Sequence, residues 1–274
     1  MTQGNDHFDR YRAAPGDCAS VTSAANEQSL DRLRAEGFAL APIVEAVIAA
    51  DFAGGLSEAE TAAVAAALAG NYHATSVNSR IEFVYDVDSE TLNQQPARTQ
   101  HRLEGVDGAE VVQVLPMGIN VSQLAPYRCW EDLFERFCKD MDTADSVLGH
   151  RPISRLAVRS INRIDVPLVD GIARYEDYLA VHVALPAVVG MVNNFFLRVG
   201  IPVPQLAADA IVQSTVMEPA AEGFASFVLD IDLARVRDIP PERAEMYALL
   251  GDFRKEKNLL YRGLLTEHAL KEFK

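Results

Sequence analysis

The run from Arg151 to Val166, bracketed by Pro152 and Pro167, constrains this chain more than any other stretch. Arginines recur at 151, 155, 159 and 163, which would align them on one side of a helix. The same four positions also share one parity of a strand. β-branched Val158, Ile161, Ile164 and Val166, together with the flanking prolines, decide for the strand. Its even face then carries Leu156, Val158, Ser160, Asn162, Ile164 and Val166. Its odd face carries Arg155, Ala157, Arg159, Ile161, Arg163 and Asp165.

Other segments read in the same way. Ile43 to Phe52 is an apolar strand stopped by Gly54-Gly55, and Ser57 and Glu60 form a capping box ahead of an alanine-rich helix. Arg80 to Val87 alternates as a half-buried strand, and the polar stretch Thr91 to Thr99, with Pro96, reads as a loop. Strands follow at His101–Val106 and Glu110–Leu124, with a hairpin at Asp107-Gly108 and a bend at Pro116 and Gly118. Trp130, Leu133, Phe134, Phe137, Cys138 and Met141 mark one apolar face of a helix. A short helical piece near Tyr175–Leu179 precedes three more strands, at Asn194–Ile201, Asp209–Met217 and Ala225–Leu233. A long helix spans about Glu242 to Leu264, with Met246, Leu249, Leu250, Phe253, Leu260 and Leu264 on its apolar side. Thr266 then caps a last short helix.

Runs of strands punctuated by few helices predict an α+β fold with a mainly antiparallel sheet. The sheet falls into two loosely similar halves, each packed by a helix, with the long helix near the C-terminus. We expect a polar, flexible N-terminal arm over residues 1–28, one half over 29–168 and the other over 169–274, in one continuous globular unit.

Charge narrows the function. The chain has 25 basic and 39 acidic residues, a formal net charge of −14, which disfavours nucleic acid and anionic membrane as partners. No apolar stretch reaches the ~18 residues of a membrane-spanning helix. The first residues lack a secretory pattern, and Cys18, Cys129 and Cys138 form an odd set without a CxxC pair. A bacterial cytoplasm is the expected compartment.

Four stretches together resemble a sporadically distributed family of uncharacterised bacterial proteins of about this length. They are Ala41-Pro42-Ile43-Val44-Glu45-Ala46-Val47; Pro126-Tyr127 with Trp130 and Phe134; Arg159-Ser160-Ile161-Asn162-Arg163-Ile164; and Arg254, Lys257-Asn258, Tyr261 and Leu265-Thr266-Glu267. The chain departs from the family at Ser160, where an aromatic is more common, and at Tyr261, where Phe is. The resemblance implies no established activity. The patchy distribution implies accessory genes, as in defence or toxin-neutralising systems.

Few residues suggest chemistry. Arg155, Arg159 and Arg163, with Asn162 and Asp165, form the candidate binding site, because a guanidinium presents a rigid donor fork suited to carboxylate or phosphate. The plainer alternative pairs these arginines with Asp230 and Asp232 on a neighbouring strand, and leaves Asn162 to satisfy backbone groups. The six histidines lack zinc-clamp spacing, and Gly54-Gly55 lacks the lysine of a phosphate loop. Cys129, near a helix start, is a weak nucleophile candidate, and Cys138 reads as core. No metal or cofactor is expected. The leading expectation is an accessory or interaction protein, a regulatory or neutralising partner of another protein. The alternative is an enzyme or ligand-binding domain holding a small anion over the arginine row.

Overall fold

The computed structural model describes residues 42–272 apart from 81–82, 87–90, 95–97, 187, 189–191 and 193. The expected arm at 1–28 lies outside these residues. In chain order the elements are β1 (Ile43–Phe52), α1 (Glu58–Leu68), β2 (Ala74–Arg80), β3 (Phe83–Asp86), β4 (Thr91–Gln94), β5 (Arg98–Glu104), β6 (Glu110–Val114) and β7 (Gly118–Leu124). Next come α2 (Trp130–Leu148), β8 (Ile153–Pro167), β9 (Phe196–Val203), β10 (Ala208–Met217), β11 (Phe224–Arg235), α3 (Arg243–Gly263) and α4 (Glu267–Glu272). The fold is α+β.

Nine strands form one antiparallel sheet in the order β2-β5-β6-β7-β1-β8-β11-β10-β9. With β8 counted with the strands that follow it, rather than within residues 29–168, the two halves have one plan. In each, a strand is followed by a meander whose last member returns to its side: β7 lies beside β1, and β11 beside β8. A helix then packs on the sheet, α2 in the first half and α3 in the second. β1 and β8 pair antiparallel at the centre, joining the halves.

A single register line crosses this seam. Leu103, Val112, Val121, Ile48, Val158, Leu233, Ala210 and Ile201 are neighbours in turn across eight strands. The first seven belong to one buried apolar core, and the partly buried Ile201 packs against it. Because side chains alternate along a strand, this line fixes which face the helices cover. The helices run antiparallel on that face. Arg243 at the start of α3 grips Asp145 near the end of α2 at 2.8 and 2.7 Å. Arg254 reaches Glu131 in the first turn of α2 at 2.7 Å. Between them Tyr247 sits edge-on to Phe134 and Phe137.

Local signals explain the ends. Ser57 Oγ accepts from Glu60 N, and Glu60 accepts from Ser57 N, so both expected bonds of the capping box form. Thr266 Oγ1 likewise accepts from Ala269 N at 3.3 Å, opening α4.

Three expectations need correction. Glu110–Leu124 is two strands rather than one bent strand. The chain reverses over Leu115–Gly118, where Leu115 N donates to Gly118 O and Gly118 N to Leu115 O. Pro116 supplies the bend of a turn, and Gly118 allows a close approach, since a Cβ there would lie 2.0 Å from the Ala50 carbonyl oxygen. The described residues of Arg80–Val87 fall into two strands, since Arg80 belongs to β2 and Phe83–Asp86 form β3. The stretch taken as a loop from Thr91 contains β4, which pairs with β3 in a separate two-stranded sheet. Strand pairing satisfies backbone groups whatever the side chains, so a polar tetrapeptide gives little periodic signal.

Gly118→Ala is expected to lower stability by roughly 1–3 kcal/mol through forced backbone displacement. Gly200→Ala, whose added carbon meets nothing nearer than Ile211 Cδ1 at 3.9 Å, is expected to be tolerated. Denaturant midpoints of the two variants check this.

Candidate functional site

The arginine row lies on the sheet face opposite the helices, and each guanidinium is already engaged. Arg155 Nη2 donates to Asp232 Oδ2 at 2.7 Å. Arg159 holds Asp230 with two parallel bonds of 2.8 and 2.6 Å, and Gln213 adds a third donor to that carboxylate at 3.2 Å. Arg163 bonds Asp165 at 3.0 Å, Ser226 Oγ at 2.9 Å and the Glu218 carbonyl at 3.0 Å. Register explains the pairing: β11 lies beside β8 with Asp232 opposite Arg159 and Asp230 opposite Ile161, so acids and bases interleave on one face. Burial pushes the Asp51 carboxyl up, Arg155 pulling against it and Asp232 adding to it.

The candidate residues therefore divide. Arg155, Arg159, Arg163 and Asp165 share one face. Asn162 is on the other, buried, donating to the Leu229 carbonyl at 2.9 Å. There it joins a different constellation.

A cavity of about 220 Å³ opens where α3 crosses β8 and meets the start of α2. Strands contribute Ile43 and Asn162. The β7–α2 turn contributes Tyr127 and Cys129, and α2 contributes Trp130. The second half of α3 supplies Arg254, Lys257, Asn258, Tyr261 and Arg262. Among the described residues no carboxylate lines it. Arg254 is held over the Trp130 ring, 5.6 Å from its centroid, by the bond to Glu131; this cation–π geometry orients both walls.

Lys257 is the unusual member. Its exposure is 8%, and among the described residues its Nζ has no hydrogen bond or ion pair. Burying an ammonium without a counter-charge is costly, so the amine sheds its proton more readily. Loss of hydration, and secondarily the Arg254 charge, pull its pKa from 10.5 down to about 8. Burial also raises the Tyr127 phenol to about 12 and pushes Tyr261 higher still. The site thus sets a weakly basic amine and two arginines among phenols, amides, a thiol and one tryptophan. Such a set suits a small anion, and among the described residues no three of His, Cys, Asp and Glu converge as metal ligands.

The pocket coincides with stretches singled out in the sequence for a different reason. Tyr127, Trp130, Asn162, Arg254, Lys257, Asn258 and Tyr261 all line it. A signal for Lys257 was present. Met246, Leu250, Phe253, Lys257 and Tyr261 are buried in α3 at the spacing of one helical stripe, which puts a lysine where an apolar residue is expected. Cys129 lies at the α2 N-cap and on the cavity wall. Cys138 is half-buried, with its thiol pushed up to about 11 by burial. No described helix is long and apolar enough to cross a membrane. No protein-family description matches the chain, and no characterised protein is significantly similar to it.

Two outcomes follow from the two faces. Asp230→Ala strips the partner from Arg159 and is expected to cost about 1.5–3 kcal/mol, as for other hydrogen bonds to charged groups, measured by urea unfolding. Lys257→Met is expected to stabilise the protein at neutral pH. The unfolded lysine binds its proton up to about 10.5 and the folded one only to about 8, so the native state bears the burial cost below pH 8. Between those values wild-type stability rises with pH relative to the variant, by on the order of 3 kcal/mol in all. Paired unfolding curves from pH 7 to 10.5 measure the difference.

Proposed function

We propose that this protein binds a small anionic molecule in the cavity beneath α3. The observation that carries the reading is Lys257: a buried amine, without a partner among the described residues, on the wall of a cavity that no carboxylate of the described residues lines. The engaged arginine row argues for moving the expected anion site from the open sheet face to this pocket. A volume near 220 Å³ falls below the roughly 300–1,000 Å³ of drug-sized pockets, which favours a compact carboxylate or phosphate.

Trp130 is the sole tryptophan of the chain and lines the cavity, so its fluorescence is a direct probe of occupancy. Titration with short carboxylates and inorganic phosphate is expected to change the emission saturably in the wild type. Folded Lys257→Met loses the response and Arg155→Met keeps it. A response that survives Lys257→Met, or none with any anion, refutes the reading.

A second reading, the accessory partner of another protein in a bacterial cytoplasm, draws on a different surface. Leu168, Ile172, Tyr175, Val183 and Phe227 are among the walls of a mainly apolar cleft of about 460 Å³ in the second half. Val169, Leu185 and Phe224 are exposed large apolar residues of the same half. Apolar surface gathered in this way often marks a protein interface. Co-purification from the native host, lost with Ile172→Asp, supports it; recovery of the same proteins with the variant opposes it.

A further inference from the structure

We infer that Lys257 forms an imine with a small 2-oxo acid, the anionic carboxylate resting against Arg254 and the keto carbon meeting Nζ. The inference rests on the anion-binding reading above and adds the chemical class of the ligand.

The geometry supports each part. Arg254 and Lys257 are three residues apart on α3 and so are neighbours on one helix side. This separation suits a ligand whose carboxylate and carbonyl are on adjacent carbons. This cavity lacks an acid among its lining residues, and it keeps the amine free to lose its proton. Lysines desolvated in this way beside another cation are the ones that serve as nucleophiles. With a pKa near 8, Lys257 at pH 7.5 holds roughly two-hundred-fold more neutral amine than an ordinary lysine.

The step balances without an oxidant. The neutral amine's lone pair attacks the keto carbon, and the carbonyl π electrons move to oxygen, which takes up a proton. Nζ gives up its two protons as the carbinolamine forms and collapses, which balances the two that leave with that oxygen as water, and a C=N bond to Nζ replaces the C=O. Tyr127 and Tyr261, both on the cavity wall and both kept as phenols by burial, are the hydroxyls placed to hand over the proton. Asn162 and Asn258 supply amides that can hold the departing water.

The test uses the full chain with pyruvate and, in parallel, propionate, which has the carboxylate without the keto group. Each mixture is treated with sodium cyanoborohydride, which converts an imine to a stable secondary amine, and analysed by intact mass and peptide mapping. Trp130 emission is followed on the same samples before reduction. The expected result is a pyruvate-derived adduct on Lys257, absent with propionate, while both acids alter the emission. Lys139 and Lys255, whose side chains are 69% and 78% exposed, serve as internal controls and remain unmodified. Lys257→Arg keeps the positive charge and is expected to retain the emission change and lose the adduct. An emission change with no adduct overturns the imine and leaves anion binding standing. No emission change with either acid, nor with phosphate, overturns anion binding and the imine with it. Labelling of Lys139 or Lys255 to the same extent as Lys257 also overturns the imine.

Discussion

Ala49 and Ala157 face one another across the middle of the sheet, within the one pairing that connects its two halves. Everything else follows from that antiparallel contact between β1 and β8. It turns two similar strand-and-helix units head to tail, so the apolar line from Leu103 to Ile201 runs unbroken from one to the other. It also sets both long helices on the same face, pointing in opposite directions. The start of α2 therefore meets the second half of α3 directly over the seam. The cavity is a product of this arrangement, lined from both halves, and neither half alone supplies its walls.

The two faces of β8 illustrate two ways of managing charge. On the open face, three arginines and their aspartates satisfy one another in a half-exposed lattice, where each ion pair is modest and the network holds register more than it adds stability. On the helix face Lys257 is buried with no compensating acid among the described residues. A core position that forgoes an apolar side chain gives up packing and bears a desolvation cost. That cost is intelligible if the group has work to do in the cavity it lines, and it is the reason for reading this pocket, not the arginine row, as the site.

Much of the fold was readable from residue patterns. β1, α2, β8 with its two faces, the second-half strands and α3 all have strong periodicity or capping chemistry, and their bounds fall close to expectation. The reversal at Leu115–Gly118 was hidden because Val111 to Leu124 is apolar on both sides of the turn, and the close approach at Gly118 depends on β1, far away in sequence. The polar strand β4 was hidden because its pairing is a backbone matter. The arginine row stood out as a pattern, yet the sequence left open whether its charges were free, a question answered by the register of β11. Asn162 was singled out with the arginines and belongs instead to the pocket. Lys257 was not among the candidate binding residues, since a lone lysine on a helix ordinarily faces water. Its place in the stripe with Phe253 and Tyr261 was the overlooked clue.

The central claim is that the Lys257 amine is largely withdrawn from water and has no counter-ion among the described residues. Its ionisation can be followed directly in protein carrying ¹³C at lysine Cε, with Lys257→Arg assigning the resonance. A titration midpoint near pH 8 is the result this account requires. A midpoint at the ordinary lysine value of about 10.4 would mean that the amine is hydrated or paired, and the pocket would lose its claim to be a site.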